Sequence, residues 1–112
     1  MSMSKTLQHM ALPTVDTARS ELARLRACTW DDPDLAEELA RLDTLVRHTD
    51  TIVAKAVAAG RLAQDIGADH RFAVALAVDA LIRNDARIER QLLRLRGARS
   101  RALLCSIAET GP

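Results

Sequence analysis

Residues 70–96 read HRFAVALAVDALIRNDARIERQLLRLR, a run in which apolar residues recur with the period of an α-helix. Written as heptads, the run has two core positions. The first holds Val74, Leu81, Ile88 and Leu95, and the second holds Val78, Asp85 and Leu92. This pattern predicts one helix over 70–96 with a coiled-coil-like seam that Asp85 interrupts. Residues 72–82 are apolar on almost every side, so we expect other helices or a second subunit to bury them all round.

A second long helix is predicted upstream, over 33–59. Asp32 can cap its first turn, Pro33 suits the first helical position, and Gly60 is the expected stop. A short connector then leads to Asp69, the expected cap of the third helix. Two helices of equal length joined by a short connector predict a long antiparallel helical hairpin.

Two shorter helices are predicted to flank this hairpin, giving four helices in all. The first opens at Pro13 and Thr14 and ends near Cys28, while the last follows Gly97 and covers 98–108. Both carry apolar residues at helical spacing, which gives each of them a face to pack on the hairpin.

Composition supports an all-α small helical bundle. Hydrophobic residues make up 48% of the 112-residue chain but aromatic residues only 2%, which suits helices packed through alanine and leucine better than a β-sandwich. We expect a flexible N-terminal tail over 1–12, a single helical domain over 13–109, and a loose C-terminal end over 110–112.

Self-association is expected because large core residues are scarce and the third helix is so apolar. We expect a homo-oligomer, most simply a dimer, formed through the third helix. The predicted interface residues are Phe72, Val74, Val78, Leu81, Asp85, Ile88 and Leu92. Asp85 sets the register or oligomeric state of that seam, or forms half of a buried pair with an arginine, or lies partly exposed because the seam ends near residue 82.

An arginine stripe is the most conspicuous polar feature of the chain. Arg83, Arg87, Arg90 and Arg94 are spaced by four, three and four residues, and Arg101 continues the line. Residues 83–101 hold seven arginines against Asp85 and Glu89, a local net charge of +5 in a chain whose overall net charge is +1. In the heptad frame the stripe lies opposite the apolar seam and therefore faces away from the core.

Three interpretations of the stripe remain open. It can be a solvated face, with an ion pair between Asp79 and Arg83 at i,i+4 spacing. It can bind an acidic protein partner, or it can bind the phosphates of a nucleic acid.

The chain shows no catalytic, cofactor or metal motif. Its histidines and cysteines lack the spacing of metal ligands, and no phosphate-binding loop or nucleophile motif is present. Asp79 and Asp85 are the only carboxylates placed where burial could make them an acid or base. We therefore predict no catalytic residue, no metal and no cofactor.

The environment is expected to be cytoplasmic. Cys28 and Cys105 form no disulfide framework, which favours a reducing compartment. Residues 72–82 are the longest apolar stretch and are too short to span a bilayer, so no membrane association is expected.

These features together favour a non-enzymatic interaction module, of the adaptor, chaperone-like or regulatory kind, that binds a protein partner. The alternative is a nucleic-acid-binding accessory factor that uses the basic face of residues 83–101. A small helical enzyme with its site at a dimer interface is the third and weakest interpretation.

Overall fold

The computed structural model describes residues 3–28, 32–69 and 71–110. These residues form three α-helices and no β-strand: α1 (Met3–Arg26), α2 (Pro33–Asp65) and α3 (Arg71–Thr110). The helices pack side by side into a rod with extents of 72 × 20 × 20 Å. The predicted all-α bundle built on a long hairpin is confirmed.

The hairpin consists of α2 and α3. Asn84 of α3 donates hydrogen bonds to the Leu45 carbonyl at 3.0 Å and to Thr49 Oγ1 at 2.9 Å. Gln91, further along α3, donates to the Glu38 carbonyl at 3.1 Å. Residue numbers rise along α3 as they fall along α2, so the two helices are antiparallel.

α1 packs against this hairpin and runs antiparallel to α2. Arg19 pairs with Asp50 at 2.7 Å, and Arg26 pairs with Asp43 at 3.0 Å. Numbers rise along α1 as they fall along α2, so these two helices are also antiparallel. The fold is therefore an up-down-up three-helix bundle.

Local signals define both ends of α2. Asp32 Oδ1 accepts the N–H groups of Asp34 and Leu35 at 2.9 and 3.1 Å, which confirms the predicted cap. At the other end Gly67 has a φ of 71°, and Ala68 N–H reaches back to a carbonyl five residues earlier at 2.7 Å. This Schellman motif satisfies the last free carbonyls of the helix.

The expected stop at Gly60 is wrong, because α2 continues to Asp65. A glycine inside a helix weakens it but leaves every backbone hydrogen bond possible. The helix ends only where Gly67 takes a left-handed conformation that other residues rarely adopt.

The expected break at Gly97 is also wrong, so the two predicted helices over 70–96 and 98–108 are one helix, α3. Ala98 and Ala102, just beyond the glycine, are buried in the core. Continued burial of one helical face favours an uninterrupted helix over a turn. Asp69 accepts the Arg71 N–H at 2.9 Å, in keeping with its predicted role at the start of this helix.

The helix α1 is also longer than predicted, at its N-terminal end. The helix begins at Met3, so residues 3–12 are helical where a flexible tail was expected, and Pro13 lies inside the helix. A proline removes one N–H and one hydrogen bond, and the surrounding residues contain no glycine to add to that cost. Of the predicted C-terminal end, residues 111 and 112 lie outside the described part of the chain.

The core draws on all three helices. Its buried hydrophobic residues are Val15, Ala18, Leu22, Leu25, Leu35, Leu42, Val46, Ala56, Ala77, Leu81, Ile88, Leu92, Leu95, Ala98 and Ala102. None of them is larger than leucine or isoleucine, so the helices can approach one another closely.

One core position of α3 was predicted correctly, and the other was not. Leu81, Ile88 and Leu95 are buried as expected, whereas Val74, the fourth member of that position, is only half-buried. The second heptad line runs through Ala77, Asn84, Gln91 and Ala98 instead of Val78, Asp85 and Leu92. Leu92 is nevertheless buried, because α3 packs against two helices and buries a wider arc than a two-stranded seam does.

The apolar run over 72–82 is not buried all round within the chain. Phe72 is 75% exposed, and Leu76 and Ile82 are more than half exposed. Two neighbouring helices cover only part of the circumference of a third, so the outer side of this segment faces solvent.

Alanine substitutions at Gly97 of α3 and at Gly67 of the connector are expected to change the stability of the protein in opposite directions. Gly97→Ala should raise the free energy of unfolding by about 0.5–1 kcal/mol, because alanine favours a continuous helix. An added Cβ would meet only the Arg101 guanidinium tip, at 3.3 Å, and that flexible side chain can move. Urea denaturation measures the change.

Gly67→Ala is the matched control. A Cβ there meets nothing within 4 Å, yet alanine strains the positive φ, so stability should fall by about 1–2 kcal/mol. If Gly97→Ala also destabilised the protein, a helix end would lie at Gly97 and the single long α3 would be wrong.

Candidate interaction surface on α3

The arginine stripe lies on the solvent-facing side of α3. Arg83, Arg87, Arg90, Arg94 and Arg101 are all exposed. Their predicted orientation away from the core is therefore confirmed. Arg87, Arg90 and Arg94 line a groove together with Leu45 of α2, so these arginines can be compared directly with the acidic residues of that helix.

Arg83 forms the ion pair predicted for it. Its guanidinium lies 2.9 Å from the Asp79 carboxylate, and both side chains are mostly exposed. Such an exposed i,i+4 pair stabilises a helix by about 0.3–0.5 kcal/mol. Asp79 is therefore a surface partner of Arg83 and not a buried carboxylate.

Arg94 has a weaker contact with α2. It reaches the Glu38 carboxylate at 3.4 Å. Glu38 is only 13% exposed and already accepts hydrogen bonds from Gln91, at both its carboxylate and its backbone carbonyl. The Glu38 carboxylate is therefore held mainly by the buried Gln91 amide, and Arg94 sits at its outer edge.

The other arginines of this segment have no ion pair within the described residues. They are Arg87, Arg90, Arg96, Arg99 and Arg101. By contrast, five of the six arginines in α1 and α2 are paired with acidic side chains: Arg19, Arg24, Arg26, Arg41 and Arg47. The positive charge of the chain is thus balanced on α1 and α2 and left unbalanced on the second half of α3.

A shallow groove lies beside the unpaired arginines. It has a volume of about 550 Å³ and is wide open to solvent. The lining residues are Leu45, Arg87, Arg90, Gln91, Leu93 and Arg94. Its floor is partly apolar and its rim is cationic, so it can accept an anionic group that carries some apolar surface.

Sequence reasoning missed an apolar ridge next to the stripe. Ile82, Leu93 and Leu104 are 58%, 66% and 66% exposed, and they recur every eleven residues. Eleven residues are three helical turns plus about 20°, so these side chains lie almost in line. The eleven-residue spacing is the signal that could have identified them, but it becomes meaningful only when α3 runs unbroken through Gly97.

The residues predicted for an oligomer interface differ in how far they are exposed to solvent. Leu81, Ile88 and Leu92 are buried in the core of their own chain. Val74, Val78 and Asp85 are half-buried, and Phe72 is exposed. Asp85 has no hydrogen bond or ion pair among the described residues. Self-association stays a prediction, with Phe72 as the member of the set that is open to a second copy.

The described residues contain no group of three or more histidine, cysteine, aspartate or glutamate side chains arranged to hold a metal ion. No helix among them has the length and apolar character needed to cross a bilayer.

Comparison of the chain with protein-family models, with curated proteins and with solved structures found no significant match.

The contacts of Glu38 lead to a stability prediction. Glu38→Ala removes the carboxylate that the buried Gln91 amide binds, so the free energy of unfolding should fall by about 1–3 kcal/mol. Chemical denaturation measures the change.

Glu37→Ala is the matched control one residue away. Glu37 pairs with Arg41 on the surface, so its loss should cost less than about 0.5 kcal/mol. Equal effects at both positions would mean that Glu38 is no more than another surface acid.

Proposed function

We propose that the protein is a non-enzymatic helical interaction module, of the adaptor, chaperone-like or regulatory kind, that binds an acidic protein partner through the arginine face of α3. The observation that carries the proposal is the contrast in charge pairing. Five of the six arginines on α1 and α2 are paired within the chain, whereas five of the six arginines of the segment 87–101 are not.

The closely spaced arginines of α3 repel one another in the isolated chain. Arg87, Arg90 and Arg94 are spaced by three and four residues, which places like charges on neighbouring turns. Like-charge pairs at this spacing destabilise a helix by about 0.2–0.5 kcal/mol each. An anionic partner removes this repulsion and gains several charge-assisted hydrogen bonds, so the face is better suited to a bound state than to solvent.

Apolar surface beside the arginines favours a protein over a nucleic acid. Leu93 is exposed on the same helix, and Leu45 lines the groove. Protein interfaces combine apolar contact with arginine, whereas proteins that bind single strands usually offer aromatic side chains for base stacking. The segment 83–101 has no aromatic residue.

A nucleic-acid-binding accessory factor is the second candidate. It rests on the same net charge of +5 over residues 83–101, because phosphate contacts require only closely spaced cations. The two candidates differ in the ligand that they predict to bind more tightly.

A binding experiment on the full chain separates them. The probes are a labelled 20-residue polyglutamate peptide and a labelled 20-base-pair DNA duplex, each followed by fluorescence anisotropy at several salt concentrations. We expect the peptide to bind and the duplex to bind less tightly. The double variant Arg87→Glu/Arg90→Glu should weaken peptide binding by about tenfold or more.

Lys55→Glu/Arg61→Glu is the matched control for charge. It makes the same change in net charge on exposed, unpaired residues of α2, and should weaken peptide binding less than about threefold. Tighter binding of the duplex with a steep salt dependence would assign the face to nucleic acid instead. If neither probe bound, both candidates would be rejected.

A further inference from the structure

The apolar ridge and the arginine stripe form one composite surface on α3. Leu93 and Leu104 are the two most exposed members of the ridge, and they lie about 16 Å apart along the helix axis. Between them are Gly97, which has no side chain, and Ser100, which has a short one. The Arg101 guanidinium lies beside Gly97, 3.3 Å from where a Cβ of that residue would be, so small residues and a cation line the surface between the two leucines.

Cations flank the ridge on both sides. At 100° per residue, Arg90, Arg94 and Arg101 lie on one side of the line from Leu93 to Leu104, and Arg96 lies on the other, within roughly 40–100° of it. All four arginines are exposed. A ligand centred on the leucines therefore meets positive charge along both of its edges.

We infer that the partner segment is an amphipathic α-helix of about four turns with acidic residues on both sides of its apolar stripe, lying along α3 from Leu93 to Leu104. This inference rests on the proposed function and specifies the partner that would use it. A helix matches the length and straightness of the ridge, because apolar residues at i, i+3, i+4 and i+7 form a comparable stripe. Its acidic edges would face the flanking arginines.

A second copy of this chain does not supply such a helix among the described residues. On α1 and α2 the acids Glu21, Glu37, Glu38, Asp43 and Asp50 are already in ion pairs. The large exposed apolar residues at the end of α2 are Leu62 and, just beyond the helix, Ile66. Near them Arg61 and Arg71 balance Asp65 and Asp69, so that region has no net negative charge to offer. Asp16 and Asp34 form no ion pair within the described residues, but no large exposed apolar side chain is described beside them, so we assign the complementary helix to a different chain.

The test compares two 18-residue peptides of identical leucine and glutamate composition. In one the leucines follow the i, i+3, i+4, i+7 pattern, and in the other their order is scrambled. The patterned peptide should bind the full chain about tenfold more tightly or better, because burial of the exposed leucines adds to the charge contacts. Circular dichroism should show a gain of helix on mixing that the scrambled peptide lacks.

Paired variants locate the site. Leu93→Ser/Leu104→Ser should reduce the affinity for the patterned peptide to that for the scrambled one and leave the scrambled peptide unaffected. Leu62→Ser/Ile66→Ser, which changes equally exposed apolar residues elsewhere, should leave both affinities within about twofold. All four leucine and isoleucine side chains are exposed, and thermal unfolding of each variant confirms that the fold is retained.

The outcomes separate this inference from the proposed function. Equal affinity for both peptides would overturn the amphipathic helix and leave an acidic partner in place. Failure of both peptides to bind would overturn both proposals. If vesicles with anionic phospholipid bound in a manner that required Leu93 and Leu104, while the patterned peptide had no advantage over the scrambled one, the ridge would be a membrane-surface site and the inference would be wrong.

Discussion

The buried amide contacts between α2 and α3 fix the position of every other feature of this bundle. Asn84 is 2% exposed and binds the Leu45 carbonyl and Thr49 Oγ1, and Gln91 binds Glu38 one heptad further along. A core of alanine and leucine can slide by a turn at modest cost, because one apolar contact replaces another. A buried amide cannot, since loss of its partner leaves an unsatisfied group that costs about 1–3 kcal/mol.

The register that these amides set also determines the charge of the surface. It places Glu38 against Gln91 and Arg94, and it leaves Arg87 and Arg90 beside the groove at Leu45 without an acidic partner. Three other acids of α2 pair with α1 or with their own helix: Asp50 with Arg19, Glu37 with Arg41, and Asp43 with both Arg26 and Arg47. The excess of positive charge on α3 is therefore a consequence of how the hairpin aligns, as well as of its composition.

The sequence was most informative where the signal is local or strictly periodic. The Asp32–Pro33 cap, the buried line through Leu81 and Ile88, and the outward orientation of the arginines follow from neighbouring residues or from helical spacing alone. The predictions of helix ends at Gly60 and Gly97 were wrong because a glycine in the sequence does not show whether its backbone is helical or left-handed. Gly67 has a positive φ, whereas Gly97 lies inside α3.

The buried Asn84 and Gln91 could not be predicted for a different reason. Polar residues in a sequence are predicted to be exposed unless the groups that bind them are known. Here those groups are carbonyls of α2, 39 and 53 residues away in the sequence. The ridge through Leu93 and Leu104 was also not predicted. An eleven-residue spacing places the two leucines in line only on one continuous helix, and the prediction had ended that helix at Gly97. Each of these positions depends on contacts between helices or on the full length of α3, and helical periodicity alone gives neither.

Side-chain amide NMR of Asn84 tests the central claim most directly. With the alignment described, its amide protons exchange slowly with water and show nuclear Overhauser effects to Thr49 and to the Leu45 backbone. Rapidly exchanging amide protons, or contacts to Leu42 or Ala56 one heptad away, would mean that α2 and α3 align differently. The unpaired arginine face would then lose its structural basis.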